Sequence, residues 1–420
     1  MKKPKILLYS HDTYGLGHLR RSLSIAGQIA HDLPQASQLL LTGSMVAGAF
    51  SLPPRLDLIK LPALSKRSSG RYKARALPLT LRQTILWRQE MILHAVDAFK
   101  PDLVLVDKAA AGVQGEMLPA LHHLRACAPQ TRLVLGMRDI EDSPEATRRE
   151  WQEQGIAHLH AHTYDAILLY GERAFFDPVT AYGMSAAAAG KLISCGYLRR
   201  AAPARPAAEV RRELGIDDRP LHVATVGGGG DGFEILKTYL EMLGQGAPPP
   251  VHSLLVTGPM MAQAKRQALR RLAAGLPVSF MEFTADLDSY LAAADLVISM
   301  AGYNSVCEIL SLGKRSLLIP RGHTRAEQRI RATLLAERGL AHLLPPEALT
   351  PANLRQAIDA AQHGPPPAAT LNLNGLENIS RAISGLLHPE AVYRPPSRLQ
   401  RGVVMQGLNG AGAVQPAPAI

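Results

Sequence analysis

"KILLYSHDTYGLGHLRRSLSIAGQIA", residues 5–30, runs from an apolar segment through a turn holding two glycines and a histidine, and only then takes up a helical pattern. Lys5–Tyr9 reads as a short buried strand, and from Leu19 the apolar positions Leu23, Ala26 and Ile29 recur at helical spacing. The turn is a strand-to-helix corner, where open α/β sheets hold their ligands. Its glycines let backbone come close to a ligand, and the free N–H groups at the helix start favour an anion. His18 stands at that point.

The alternation continues along the chain. Strand-like runs at Gln38–Thr42, Leu56–Leu61, Asp102–Asp107, Arg132–Gly136, Ala166–Tyr170 and Lys191–Cys195 are separated by helical patterns, the βαβ signature of a parallel sheet. The stretch "LRRAAPARPAAEV" then breaks the periodicity with two prolines, placing a linker at 199–208 between a first domain, 1–198, and a second, 209–388. The second domain repeats the pattern with strands at Leu221–Val226, Ser253–Thr257, Val278–Phe283, Asp295–Met300, Arg315–Pro320 and Ala341–Leu344. The expected fold class is α/β, two doubly wound parallel-sheet domains in tandem. Residues 389–420, rich in Pro and Gly, are predicted to be disordered.

Composition excludes several classes. A chain of 420 residues with 47% hydrophobic and 19% charged residues can bury two cores. Its apolar runs ("DLVLVD", "AILLY", "SLLIP") are of strand length, far short of the roughly 20 residues of a membrane span. "MKKPK" imitates the start of a signal peptide, but "ILLY" is too short for its apolar core, so the expected location is the cytoplasm. Cys127, Cys195 and Cys307 lie far apart and read as buried small hydrophobes. Of the net charge of +11, much falls in "SKRSSGRYKARALPLTLRQTILWR", which carries Lys66, Arg67, Arg71, Lys73, Arg75, Arg82 and Arg88 and no acidic residue. That segment is either a solvated loop and helix at the cleft rim or a surface for an anionic partner; no nucleic-acid reading motif accompanies it.

Two further corners carry chemistry. "VATVGGGGDGFEILKTYL" places Gly227 to Gly232 between a strand and a helix and formally satisfies G-x-G-x-x-G. The next strand, however, ends on Thr257 and Gly258 rather than on an acidic residue that would hold a nicotinamide dinucleotide's ribose. What remains is a phosphate cradle at Gly228, Gly229, Gly230 and Asp231. The other corner lies in "MEFTADLDSYLAAADLVISMAGYNSVCEILSLGKRSLLIPRGHTRAEQRIRATLLAERG", residues 281–339. A strand there is followed by a turn at 301–304 and a helix over Ser305–Leu312, ended by Gly313. "SVCE" reads equally well as a capping box or as ligand-binding residues.

This stretch resembles the nucleotide-sugar site of glycosyltransferase family 28, whose pattern runs from an aromatic turn through S-G-x-x-T/S-x-x-E to a glutamine-rich loop. The similarity is strong over about 60 residues and, with "GLGH" and "GGGGDG", extends loosely over most of the chain. It implies the GT-B arrangement, with an acceptor domain first and a nucleotide-sugar domain second. By position it implies that Phe283 and Thr284 flank a uracil, that Gly302, Asn304 and Ser305 meet a phosphate, and that Glu308 accepts the ribose hydroxyls. Glu327 and Gln328 would touch the donor sugar, and Arg199 or Arg200 a phosphate. The implied reaction is inverting transfer of a hexose from a UDP-sugar to an unknown acceptor, lipid-linked or polysaccharide, with no cofactor or metal; the basic segment from Lys66 to Arg88 adds the expectation of peripheral contact to an anionic membrane. A UDP-sugar epimerase or a non-catalytic nucleotide-sugar binder would share the fold. His18 is the candidate base, or else an N–H donor at the helix start; Asp107, Arg138 and Asp139 at strand ends are alternatives. The chain departs from the family pattern at Glu327 and Arg331, where a glutamine and an asparagine are expected, and at Arg20 and Arg21, which crowd the first glycine loop. "HLHAH" sets His158 and His162 four apart, a metal-ligand spacing with no third ligand in view.

Overall fold

The computed structural model describes residues 3–11, 17–66, 72–199, 203–216, 218–246, 250–322, 325–364 and 370–388. Its strands are β1 Lys5–Ser10, β2 Ser37–Thr42, β3 Leu56–Lys60, β4 Leu64–Lys66, β5 Tyr72–Ala74, β6 Leu103–Asp107, β7 Arg132–Arg138, β8 Ala166–Tyr170 and β9 Leu192–Ser194 in the first half. The second half adds β10 Leu221–Thr225, β11 His252–Val256, β12 Val278–Met281, β13 Leu296–Ser299, β14 Ser316–Leu318 and β15 His342–Leu343. They build two parallel sheets, ordered β3-β2-β1-β6-β7-β8-β9 and β12-β11-β10-β13-β14-β15. Every strand expected from the sequence is present. Continuous apolar runs such as Leu103–Val106 and Ala166–Leu169 are buried on both faces, as strands covered by helices on each side must be.

Seven helices matter to the cleft: α1 Gly17–Asp32, α2 Leu81–Phe99, α3 Pro144–Glu153, α4 Phe233–Gly244, α5 Tyr303–Ser311, α6 Glu327–Glu337 and α7 Gly375–Leu387. In each sheet the winding reverses beside the first strand, between β1 and β6 and between β10 and β13. Crevices open at such switch points. The corners after β1, β6, β10 and β13 are therefore the places where a ligand would sit, and they include all three glycine-bearing turns singled out above. The chain finally returns to its first sheet: α7 packs against α1, and Asn378 donates to the Cys195 carbonyl at 2.8 Å. The last helix of the 209–388 segment thus covers the first sheet rather than the second.

Four local expectations change. The helix after β13 begins at Tyr303, with Gly302 as N-cap and no side-chain cap bond, so Ser305 lies inside its first turn and the Ser305–Glu308 capping box does not form. Cys127 is exposed, whereas Cys195 and Cys307 are buried. Part of the basic segment forms the antiparallel pair β4–β5 rather than a loop. Arg88, counted among its surface charges, is fully buried and clamped to Glu116 by bonds of 2.5 Å. Arg67, Arg71, Arg200 and the 389–420 tail lie outside the described residues.

Candidate functional site

The two switch points meet. Asn304, in the first turn of α5, donates to the Gly17 carbonyl at the start of α1 (3.1 Å). A Cβ on Gly17 would lie 2.6 Å from the Asn304 amide nitrogen, so any other residue there would have to displace that side chain. Beside it Arg20 reaches Glu308 (3.5 Å) and the Ala285 carbonyl (3.4 Å), bringing α1 against the Phe283–Ala285 turn and the buried carboxylate of α5.

Deeper in the crevice lies a three-residue cluster. His18 Nδ1 is 2.7 Å from Asp107 Oδ2, and Arg21 grips the same carboxylate through Nε (2.8 Å) and Nη2 (2.7 Å). Arg21 Nη2 is also 2.8 Å from His18 Nδ1. That nitrogen cannot donate to Asp107 and accept from Arg21 at once, so the position of one proton decides whether Nε2 is a base or a donor. Burial would push the Asp107 carboxyl up, but the Arg21 charge and the His18 hydrogen bond hold it far below the usual carboxylate range. The ionised carboxylate is the stronger acceptor for the Nδ1 proton, which leaves Nε2 with its lone pair. Burial also pushes the His18 pKa below its ordinary value, with the Arg21 charge adding to it and the Asp107 hydrogen bond opposing. The imidazole is thus neutral, and able to accept a proton, at neutral pH.

Asp139, an alternative base from the sequence, is otherwise engaged. Arg331 of α6 binds both its oxygens, at 2.6 and 2.8 Å, in an ion pair buried between the two halves, and donates as well to the Ala301 carbonyl. Tyr303 lies between Arg21 and Arg331, each 5.7–5.8 Å from its ring centroid. The start of α5 is therefore wedged against the cluster that holds His18.

On the second-domain side, Gly228, Gly230 and Asp231 are exposed, and the start of α4 has no side-chain cap. Gly229 serves packing: at φ +87° its Cβ would meet the Thr257 carbonyl at 2.2 Å. Arg321 joins Asp231 (3.3 Å) to Glu327 (2.8 Å), and its backbone N–H donates to Gln328 Oε1 (3.1 Å). Phe283 is 47% exposed, an unusual state for a large apolar ring. The structure thus gathers Phe283, Thr284, Gly302, Asn304, Ser305 and Glu308 around the start of α5, with Glu327, Gln328 and Asp231 adjoining. Arg199 is exposed.

His158 and His162 pack ring to ring at 4.6 Å, and among the described residues no group of three potential metal ligands occurs. The sequence reading missed Arg21 and Tyr303 as parts of the site. The spacing of His18 and Arg21, three apart at a helix start, puts both on one face and was the available signal.

A model of the glycosyltransferase family 28 C-terminal domain matches residues 223–383. Among curated relatives, a UDP-N-acetylglucosamine–N-acetylmuramyl-(pentapeptide) pyrophosphoryl-undecaprenol N-acetylglucosamine transferase of Exiguobacterium is 33% identical over 155 residues, 37% of this chain and 42% of that protein. The protein of the same name from Methylibium petroleiphilum is 28% identical over 58% of this chain and 65% of its own length. The match thus spans about two-fifths to two-thirds of these relatives. Among solved structures, MurG of Acinetobacter baumannii aligns over 91% of this chain and 99% of its own at TM-score 0.54 and 16% identity. A UDP-N-acetylglucosamine 2-epimerase aligns over 94% and 98% at 0.62 and 14%. These likenesses establish the fold, two parallel-sheet domains of GT-B type. On that fold, residues 223–383 resemble the glycosyltransferase family 28 C-terminal domain and face a cleft that holds His18, Asp107 and Arg21.

Proposed function

We propose that the chain transfers a hexose from a UDP-sugar to an acceptor hydroxyl by single, inverting displacement without a metal ion. The observation that carries this reading is the apposition of the His18–Asp107 pair to the uncapped start of α5 in the family 28 domain. With Nδ1–H held by Asp107, His18 Nε2 takes the proton of the attacking hydroxyl. As the bond to the anomeric carbon breaks, negative charge grows on the departing diphosphate. In this reading the first N–H groups of α5 and of the loop before α4, neither capped by a side chain, receive it. Phe283 offers a face for the base, and Glu308 two acceptor oxygens for a vicinal diol. The test is incubation with a panel of UDP-sugars, with and without cell-derived acceptor fractions. UDP release that requires an acceptor supports transfer, whereas release with free sugar and no acceptor would assign the chain to the epimerases of this fold.

Glu308→Gln should weaken UDP binding by about 1.5–3 kcal/mol, the cost of losing hydrogen bonds to a charged group. Because α5 is not capped by this side chain, its melting temperature should change little. Calorimetric titration with UDP checks the first and a thermal melt the second, and unchanged affinity would remove Glu308 from the ribose.

We further propose that the acceptor is reached at an anionic membrane. No described helix is long and apolar enough to cross one. Instead the first domain exposes Met45, Val46, Leu77, Leu86 and Trp87, Trp87 by 45%, among the exposed cations Lys73, Arg75 and Arg82. Apolar groups set among cations suit a surface with acidic headgroups. The native chain should pellet with vesicles containing anionic lipid and be released by salt. A variant with Lys73, Arg75 and Arg82 changed to Gln and Trp87 to Ser should not. Equal pelleting of the two would dispose of this surface.

A further inference from the structure

Next to His18, the ends of three adjacent strands leave polar groups without partners. His11 follows β1, Lys108 follows β6, and Arg138 ends β7, with Glu141 three residues on. Lys108 Nζ and Arg138 Nη2 both lean on Glu141 Oε2, at 3.2 and 3.5 Å. The other oxygen, Glu141 Oε1, is buried without a hydrogen-bond partner, and so are Arg138 Nε and His11 Nδ1. The His11 ring stands 5.3 Å from that of His18. Buried polar atoms are ordinarily paired, so unpaired ones converging from three strand ends at a switch point mark a place for a ligand.

The neighbouring charges are paired elsewhere, but those of this place share one oxygen. Asp107 is taken by Arg21 and Asp139 by Arg331. Arg325 leans on Glu150 (3.5 Å) and Asp142 (3.9 Å) of the α3 region. Lys108 and Arg138 share one carboxylate oxygen, Glu141 Oε2, which leaves Arg138 Nε and Glu141 Oε1 without partners of their own. Polar atoms left so in a desolvated crevice are costly unless a ligand joins them. Lys108 also holds φ at +66°, a strained value for a residue other than glycine, of the kind retained where a side chain must be aimed.

We propose that this crevice is a subsite for one anionic group of the acceptor, a carboxylate or phosphate close to the attacking hydroxyl, bound by Lys108, Arg138 and His11. The proposal rests on the transferase reading for the word acceptor, but the binding it asserts does not. Glu141 Oε1 accepts a neighbouring hydroxyl of the same ligand, so the site selects a group in which charge and hydroxyl lie side by side. A neutral acceptor would leave both cations as they are. The protonation of Lys108 is consistent: burial, with Glu141 opposing, pushes its pKa down to about 8, so an anion arriving at that pH should draw a proton onto it. Of the groups facing this lysine, Glu141 raises its pKa, whereas Arg138 and Arg325 lower it.

The experiment is calorimetric titration of the full chain at pH 8 and constant ionic strength with inorganic phosphate, acetate, glucose, glucuronate and glucose 6-phosphate. Each is repeated with Lys108→Met, Arg138→Gln and Lys108→Arg, and UDP binding is measured in every variant as a control for folding and for the donor site. At least one anion should bind the native chain ten times more tightly than it binds Lys108→Met and Arg138→Gln, with proton uptake that varies with the buffer, while Lys108→Arg retains most of the affinity. Glucuronate against glucose 6-phosphate separates carboxylate from phosphate. Equal binding of every anion to the native chain and to both charge-removing variants, with UDP binding intact, would overturn the subsite. Anion binding in a chain that takes no UDP would keep the subsite and sink the transferase reading instead.

Discussion

His18→Ala should slow sugar transfer by about 10²–10⁴, the usual worth of a positioned general base, while UDP affinity stays near that of the native chain. The reason is spatial: His18 touches Asp107 and Arg21 in the first domain, and the proposed nucleotide contacts are made by α5 and the Phe283 turn in the second. Single-turnover kinetics beside UDP titration tests both halves. A parallel loss of binding and rate would make His18 a phosphate contact, and a fully active variant would remove it from the mechanism. The pH profile adds an independent check. Burial, together with Arg21, holds the His18 pKa below its ordinary value of 6.5. A base is active when unprotonated, so the acidic limb of the profile should fall below pH 6.5. Arg21→Gln removes one of the influences that depress that pKa, and should move the limb upward.

The second large effect concerns stability. Removing one partner of the Arg331–Asp139 pair, by Arg331→Met or Asp139→Asn, should cost about 3–5 kcal/mol because it strands the other charge in a fully buried place. The double change to Arg331→Met with Asp139→Leu should recover much of the loss, since well-packed apolar groups replace a buried pair at little net cost. Denaturant unfolding of the two single variants and the double variant decides the matter. Losses that simply add would show that the two side chains act separately. Because the pair joins α6 to the end of β7, the single variants should also loosen the two halves, read as a larger radius of gyration in solution scattering.

The sheets were legible in the sequence for a plain reason. Runs such as "LVLV" and "AILLY" are apolar throughout and of strand length, and burial on both faces tolerates no other composition. The corners were legible because glycine before a helical pattern has few other uses. The start of α5 was not. Ser305 and Glu308 satisfy the capping-box spacing, but the chain enters the helix two residues earlier, where Tyr303 packs between Arg21 and Arg331. Tertiary packing outweighed a local hydrogen-bond preference worth about 1 kcal/mol. The basic segment misled in the same way. Charge in a sequence reads as exposure, yet Arg88 is fully buried, because Glu116, far along the chain, supplies its counter-charge.

By itself, then, the sequence determined what depends on near neighbours: the βαβ alternation, the strand-to-helix corners, and the types of residue placed in them. The tertiary structure decided what depends on distant ones. It chose Asp107 as the partner of His18, 89 residues away. It drew Asp139 off to Arg331 at a separation of 192, and it left Lys108 and Arg138 to share Glu141. The physical reason is that periodicity and turn chemistry act over a few residues, whereas the energy of a charge is set by whatever lies within a few ångströms once water has gone. Only folding brings those groups together.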